Sequence, residues 1–231
     1  MIHKKTYKNT LLTTIAATAM LFGLAACDSS DTSDGTNTAT VVEDYTGPDY
    51  SQVISAEEVR DGVAFGDLIM GNPDAPVTMI EYASLTCGHC ANFHNDVFPD
   101  FKEQYIKTGK VRLIYRNYTR DPADLAVGML TRCVGPDQAF DLMAIFYERQ
   151  RQWVVEDAKP EIAAIARRVG INRADMDACL ANTDLQRNLV EMLRAGQTEG
   201  VTGTPTFFIG NEHHVGEIEF DALAALVEDN M

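Results

Sequence analysis

The segment from Val77 to Cys90, which reads VTMIEYASLTCGHC, decides the fold of this chain. Its first part, Val77 to Leu85, is a run of apolar and β-favouring residues of strand length, as expected for a central strand that is covered on both faces. The residues from Cys87 to Lys107 then place large apolar side chains at helical spacing. A CxxC pair at such a strand-to-helix junction is typical of a redox dithiol, because the second cysteine can resolve a mixed disulfide formed at the first.

The position of Cys87 at the start of a helix favours its thiolate form, since unpaired backbone N–H groups and the helix dipole stabilise an anion there. His89, between the two cysteines, can add a positive charge or a donated hydrogen bond. A purely structural disulfide would close a very small loop and gain little from it. A metal site could use Cys87, Cys90, His89 and His94, but no second ligand pair follows at a standard spacing. The pattern therefore favours redox chemistry, and we predict no metal site.

Glu81 is an acidic residue within an otherwise apolar strand that is expected to be central. Burial of a carboxyl group raises its pKa. Six residues before Cys87, it could lie beneath the cysteine pair and exchange the proton that Cys90 must lose or gain. The alternative is that Glu81 is solvated or is paired with Arg112 or Arg116.

The rest of the chain is organised around this segment. A second strand is predicted over Val111 to Tyr118, which makes a βαβ unit with parallel strands. From Asp121 to Gln197, apolar residues recur at helical spacing and predict a helical block. Strand character returns from Thr204 to Ile209, and a final helix is predicted over Glu219 to Glu228. Ahead of the βαβ unit, Ser55 to Val63 is predicted to be a short helix, because a serine precedes two acids as a cap does.

The beginning of the chain is typical of an export signal. Three lysines without an acid precede the apolar stretch from Leu11 to Ala26, which is shorter than the ~20 residues that span a bilayer as a helix. We therefore predict a signal peptide over residues 1–26. The sequence Leu24-Ala25-Ala26-Cys27 resembles a bacterial lipobox, in which the cysteine is lipidated. The alternative is an ordinary secretory cleavage site that precedes a cysteine.

The charge of the chain limits its partners. With 19 Lys and Arg against 34 Asp and Glu, its formal net charge is -15, so nucleic acids and anionic lipid surfaces are poor partners. Residues 27–54 begin with Cys27 and continue with mostly small polar residues, which predicts a lipidated cysteine followed by a flexible tether.

Cys133 and Cys179 lie on apolar faces of predicted helices within the helical block. Each could be a buried thiol or one half of a second bridge. Because disulfides persist in oxidising compartments, we favour a structural disulfide between them that would hold the helical block together.

Two separated motifs resemble the DsbA-like thiol-disulfide oxidoreductases of the thioredoxin superfamily. One is VTMIEY at residues 77–82 leading into Cys87-Gly88-His89-Cys90, and the other is GVTGTPTFF at residues 200–208. The resemblance implies an α/β protein with a thioredoxin fold and an inserted helical domain. The resemblance covers about Phe65 to the C-terminus. We predict that the first part of the thioredoxin domain covers residues 55–120, the inserted helical domain residues 121–197, and the second part of the thioredoxin domain residues 198–231.

The resemblance also implies a role for several residues. Cys87 would be the exposed nucleophile and Cys90 the buried resolving cysteine, and Glu81 matches the buried acid of the family. Pro205 would be cis and would face the cysteines, although only ~5–6% of X-Pro bonds are cis in general. Thr204, directly before it, would bind the backbone of an extended substrate. The chain departs from many DsbA proteins in the dipeptide Gly88-His89, which is the pair found in protein disulfide isomerases.

From these features we predict a dithiol oxidase that introduces disulfides into exported proteins and needs no cofactor. Its substrates would be unfolded or reduced exported proteins, and family analogy implies reoxidation by a membrane quinone-linked partner. The protein would lie on the periplasmic side of the cell envelope, held by a lipid on Cys27, with Asp28 favouring the inner membrane. A disulfide isomerase or reductase is the alternative that Gly88-His89 suggests. A tethered chaperone or metal-delivery protein, with copper or zinc on the CxxC, is an alternative of another class.

Overall fold

The structure, a computed structural model, describes residues 59–231. The predicted signal peptide over residues 1–26, the lipidation site Cys27 and the tether over residues 27–54 lie outside the described residues. Within residues 59–231, no helix combines the length and the apolar character that crossing a membrane requires.

The described part of the chain opens with a small hairpin of two strands, β1 (Val59–Arg60) and β2 (Val63–Ala64). The helix predicted over Ser55 to Val63 is therefore wrong from Val59 onward, and its first four residues lie outside the described residues. Asp61 and Gly62 form the two-residue turn, with φ values of 51° and 82°. Asp-Gly is a favoured pair for such hairpin turns, and this local preference prevails over the cap-like serine and acids.

Within the described residues, the central sheet has five strands. In chain order they are β3 (Leu68–Met70), β4 (Val77–Ala83), β5 (Val111–Asn117), β6 (Thr206–Ile209) and β7 (Glu212–Val215). Their spatial order is β3-β5-β4-β6-β7, so that β4 is central as predicted. The β4 strand runs parallel to β5 and antiparallel to β6, which places Glu81 beside Tyr115 on one side and Phe207 on the other. The two edge strands, β3 and β7, were not predicted from the sequence.

The predicted crossover helix between β4 and β5 is interrupted. It consists of α1 (Gly88–Asn92), a π-helical turn (Phe93–Val97), α2 (Phe98–Phe101) and a second π-helical turn (Lys102–Ile106). The buried aromatic side chains of Phe93, Phe98, Phe101 and Tyr105 fix this segment against one face of the sheet. The parallel βαβ unit predicted from the sequence is confirmed.

The helical block lies between β5 and β6 in the chain, as predicted. Its helices are α3 (Pro122–Cys133), α4 (Pro136–Glu148), α5 (Gln150–Trp153), α6 (Ala158–Arg168), α7 (Arg173–Leu180) and α8 (Thr183–Thr198). The carboxylate of Asp121 caps α3 by accepting hydrogen bonds from two backbone N–H groups of its first turn. After β7, the last helix is α9 (Phe220–Asp229). This arrangement is a thioredoxin-like fold with a helical insertion, which confirms the predicted fold class.

The helical block and the start of the crossover segment share one apolar core. Cys87, Cys90 and Ala91 belong to the same buried cluster as Phe146, Trp153 and Leu189 of the helical block. The indole N–H of Trp153 donates to the carbonyl of Phe146 at 2.8 Å, so this large ring is buried with its polar group satisfied. The cysteine pair is therefore packed directly against the inserted helices.

Candidate active site

The two cysteines lie where β4 passes into α1. Cys87 is the N-cap residue of α1 and Cys90 lies within its first turn, and both are free thiols. Cys87 is 3% exposed and Cys90 is fully buried, so Cys87 is the sulfur that a partner thiol can approach. The thiol of Cys87 donates a hydrogen bond to the carbonyl oxygen of Thr204 at 3.2 Å.

The pKa of Cys87 is lowered to about 5. The largest cause is the hydrogen bond from Cys90, which favours the thiolate, while burial opposes it. Thr204 and the backbone N–H groups of Cys90 and His89 lower the pKa further. The hydroxyl oxygen of Thr204 is buried without another hydrogen-bond partner, so it is available to the sulfur. A pKa of about 5 favours the thiolate at neutral pH, where the sulfur no longer donates to the Thr204 carbonyl and only accepts from these donors.

The pKa of Cys90 changes in the opposite direction. Burial raises it well above its ordinary value, and the hydrogen bond and charge of Cys87 and the charge of Glu81 act in the same sense. Two thiols three residues apart thus differ strongly in acidity. Cys87 ionises first, whereas Cys90 keeps its proton until a base removes it.

The second sequence motif meets the cysteines at the Thr204-Pro205 peptide bond, which is cis. The carbonyl of Thr204 accepts from Cys87, and the carbonyl of Pro205 accepts from the backbone N–H of Gly216 at 2.8 Å. Residues 117 positions apart in the chain are therefore joined at one point, and this is the contact between the two motifs that the sequence singled out.

His89 forms a polar contact that the sequence did not reveal. Its Nδ1 lies 2.7 Å from Oε1 of Glu217, and the amide of Asn92 donates to the same oxygen at 2.6 Å. The hydrogen bond and the charge of Glu217 raise the pKa of His89, while His89 and Asn92 lower the pKa of Glu217. Glu217 follows β7, and no pattern in the sequence places this loop near the CxxC.

Glu81 lies fully buried in β4, and its partner is His94. The Oε1 atom of Glu81 is 2.9 Å from Nε2 of His94, whose side chain is only 5% exposed. The alternative that Glu81 is solvated or pairs with an arginine is wrong. Arg116 binds Asp67 with two hydrogen bonds, and Arg112 binds Thr78 and a backbone carbonyl.

A buried carboxylate, Asp124 of α3, holds the loop between β4 and the cysteines. It accepts hydrogen bonds from the hydroxyl of Ser84 at 2.6 Å, the N–H of Leu85 at 2.8 Å and the N–H of Arg120 at 2.9 Å. Burial raises the pKa of Asp124 to about 6 despite these bonds. The side chain of Gln150, in α5, donates to the carbonyls of Leu85 and Cys87 at 2.9 and 2.8 Å. Neither Asp124 nor Gln150 was predicted from the sequence, because nothing in the helical pattern marks them.

The other predicted residues lie apart from this cluster. Cys133 and Cys179 are joined in a disulfide that links α3 to α7.

In the part of the chain that the structure describes, no group of three or more His, Cys, Asp or Glu side chains is arranged to hold a metal ion. A groove of about 910 Å³ opens beside Cys87, and Arg120, Arg149 and Arg151 are among the residues that line it.

Comparison with known proteins agrees with this geometry. The sequence model of the family described as Thioredoxin matches residues 64–229, which is most of the chain and includes both motifs. The chain belongs to the thioredoxin family. Among solved structures, this thioredoxin-family protein is similar to alpha-DsbA1 from Wolbachia pipientis, with 29% identity and a TM-score of 0.67 over 71% of this chain and 89% of that one. The predicted resemblance to DsbA-like oxidoreductases is confirmed.

Two further relatives carry different names. The protein-disulfide isomerase from Novosphingobium aromaticivorans is 28% identical, with a TM-score of 0.62 over 74% of this chain and 98% of that one. A Rickettsia conorii protein named "Putative protein-disulfide oxidoreductase" is 30% identical over 178 residues, which are 76% of this chain and 64% of that protein. The chain thus spans somewhat less than two thirds of this curated relative.

Proposed function

We propose that this protein is a thiol-disulfide oxidoreductase that acts chiefly as a dithiol oxidase on exported proteins. The observation that carries the proposal is the low pKa of Cys87, about 5, at a sulfur that also contacts the residue before a cis proline. A stabilised thiolate favours the reduced form of the protein, so the oxidised form accepts electrons readily.

The reaction uses the two sulfurs in sequence. A substrate thiolate attacks Sγ of Cys87 in the oxidised protein, the Cys87–Cys90 bond breaks, and Cys90 leaves with the electron pair and takes a proton. The second substrate thiolate then attacks the substrate sulfur of the mixed disulfide, and Cys87 leaves as a stabilised thiolate. The substrate loses two electrons and the protein gains them. Glu81 would deliver the proton to Cys90, and remove it again on reoxidation.

Substrate binding would use both sides of Cys87. The backbone at Thr204 would pair with an extended substrate, and the polar groove beside Cys87 offers space for the continuing chain. The substrates would be reduced or unfolded exported proteins, and a membrane quinone-linked partner would reoxidise the dithiol. The export signal and the lipobox pattern at Cys27 support a location on the periplasmic side of the envelope, with a lipid anchor in the inner membrane.

A disulfide isomerase is the second candidate. The Gly88-His89 dipeptide and the name of the Novosphingobium relative favour it. An isomerase needs a dithiol that stays reduced while it attacks wrong disulfides, whereas an oxidase must be a net electron acceptor.

The two candidates can be separated with the purified chain. We would measure oxidation of a reduced two-cysteine peptide and recovery of scrambled ribonuclease activity, with Cys87→Ser as the inactive control. We expect fast peptide oxidation and slow recovery. Rapid recovery without peptide oxidation would establish the isomerase instead. Equilibration of the Cys87–Cys90 couple with glutathione would then give the direction of electron flow.

A further inference from the structure

The buried acid beneath the cysteines has one hydrogen-bond donor in the described part of the chain. Oε1 of Glu81 contacts Nε2 of His94 at 2.9 Å, whereas Oε2 of Glu81 is buried without any partner. Full burial of a carboxylate is costly unless its charge is compensated by a donor. His94 is therefore the group that satisfies one oxygen of the buried Glu81 side chain.

The position of His94 is itself fixed by packing. It belongs to the π-helical turn Phe93–Val97, and its ring stacks on Tyr147 at a centroid distance of 4.3 Å and an interplanar angle of 10°. The edge of Phe93 and the ring of Phe98 close the site at 5.3 and 4.9 Å. Because the π-helical turn directs this residue toward β4, the imidazole reaches an acid from which it is separated by 13 positions.

We propose that His94 is a positioning residue for thiol-disulfide exchange, which donates its Nε2–H to Oε1 of Glu81 and leaves Oε2 free as the base that takes the proton of Cys90. The proposal rests on the proposed function and deepens it. The role of His94 is to orient the acid, since the imidazole contacts neither sulfur.

The proton balance of the step is simple. When Cys87 is in a mixed disulfide with a disulfide-bearing oxidant, the thiol of Cys90 gives its proton to the Glu81 carboxylate. The Cys90 thiolate attacks Sγ of Cys87, the new Cys87–Cys90 bond forms, and the oxidant leaves as a thiolate. In the reverse direction, the protonated Glu81 returns the proton to Cys90 as the bond breaks.

Other titratable groups around the pair cannot replace His94. They come from three elements packed at this site, and each is a hydroxyl or a thiol: Cys90 of α1, Tyr115 of β5 and Tyr147 of α4. Among them, the hydroxyl of Tyr115 bonds to that of Tyr147 at 3.1 Å. Removing His94 therefore removes the side-chain hydrogen bond that Glu81 makes in the described part of the chain.

The test uses His94→Gln and His94→Phe in the full chain. Glutamine retains a donor, while phenylalanine retains only a ring that can stack on Tyr147. The probe is glutathione disulfide, and rapid-mixing kinetics separate the attack by Cys87 from the closure by Cys90. We expect His94→Phe to slow closure about tenfold or more at neutral pH. In His94→Gln, the Cys87–Cys90 bond should form at a rate within about threefold of the original. This difference is much smaller than the rate change expected from loss of general acid–base catalysis.

The first step is the internal control, because attack by Cys87 should keep its rate and its titration near pH 5 in both variants. Adding Glu81→Gln to His94→Phe should slow closure no further, since the two residues act together. Closure in His94→Phe at the original rate would overturn the proposal, and so would His94→Gln being as slow as His94→Phe. A slow first step in the unaltered protein would instead contradict the proposed function.

Discussion

The acidity of Cys87 depends on donors that come from two distant parts of the chain. The Cys90 thiol and two backbone N–H groups belong to the first turn of α1, whereas Thr204 lies after the helical block. Each donor stabilises the same sulfur anion, so their effects add to those of the helix start. The sequence marks the CxxC pair, but the contribution of Thr204 requires the contact between the two motifs.

The pairing of His89 with Glu217 gives a prediction at the same scale. In Glu217→Gln, the hydrogen bond to a charged partner is lost, and we expect the pKa of His89 to fall toward its ordinary value, because Glu217 is what raises it. Proton NMR of the histidine ring against pH measures this change. Glu219→Gln is the matched control, since Glu219 carries the same charge two residues away and its side chain makes no cap hydrogen bond. An unchanged His89 titration in Glu217→Gln would contradict the pairing.

At the scale of elements, α5 connects the helical block to the cysteine loop through Gln150. We expect Gln150→Ala to lower the free energy of unfolding by about 1–3 kcal/mol, because the carbonyl of Leu85 loses its side-chain donor and that of Cys87 keeps only the N–H of Ala91. Urea denaturation measures the change. Gln152→Ala, which removes an exposed amide from the same segment, should leave stability within about 0.5 kcal/mol. Equal effects of the two substitutions would show that the loop does not depend on this contact.

The contact of α8 with β4 provides a second prediction for an element. A Cβ atom at Gly196 would lie 2.8 Å from Cε1 of Tyr82, and this ring is held by hydrogen bonds of its hydroxyl with Glu199 and Arg116. Overpacking costs about 1–3 kcal/mol, whereas replacing glycine in a helix gains only about 1 kcal/mol. We therefore expect Gly196→Ala to destabilise the protein in thermal or urea unfolding. A variant more stable than the original chain would mean that α8 can move away from the sheet.

At the scale of the whole molecule, the ionisation of Cys87 makes the stability of the reduced protein depend on pH. Its folded pKa of about 5 lies below the ~8.5 of a free cysteine. The stabilisation is thus complete above about pH 8.5 and is lost as the pH falls through 5. Between these values, the unfolding free energy of the reduced form should gain about 1.4 kcal/mol per pH unit over that of the oxidised form.

Denaturant unfolding of both redox forms from pH 4 to 8 measures this difference. The contribution of Asp124 to stability changes with pH in the opposite direction. Its pKa is raised to about 6, so its stabilisation is lost as the pH rises through that value. It titrates in both forms and therefore cancels in the comparison. Reduced Cys87→Ala serves as the control and should show no such gain. A difference between redox forms that is constant with pH would mean that Cys87 titrates like a free thiol.

The sequence by itself determined the parallel βαβ unit, the helical block and the CxxC at the start of a helix, because hydrophobic periodicity and helix-start chemistry are local properties of the chain. It could not give the β1–β2 hairpin in place of a helix, since the Asp61-Gly62 turn competed with an equally local cap signal. Tertiary structure alone decided the partners of the buried polar groups. His94 meets Glu81, Glu217 meets His89, and Gln150 meets the Cys87 carbonyl across 13, 128 and 63 positions. Such pairings depend on how the elements pack, because a buried polar group must find whichever donor or acceptor the fold brings beside it.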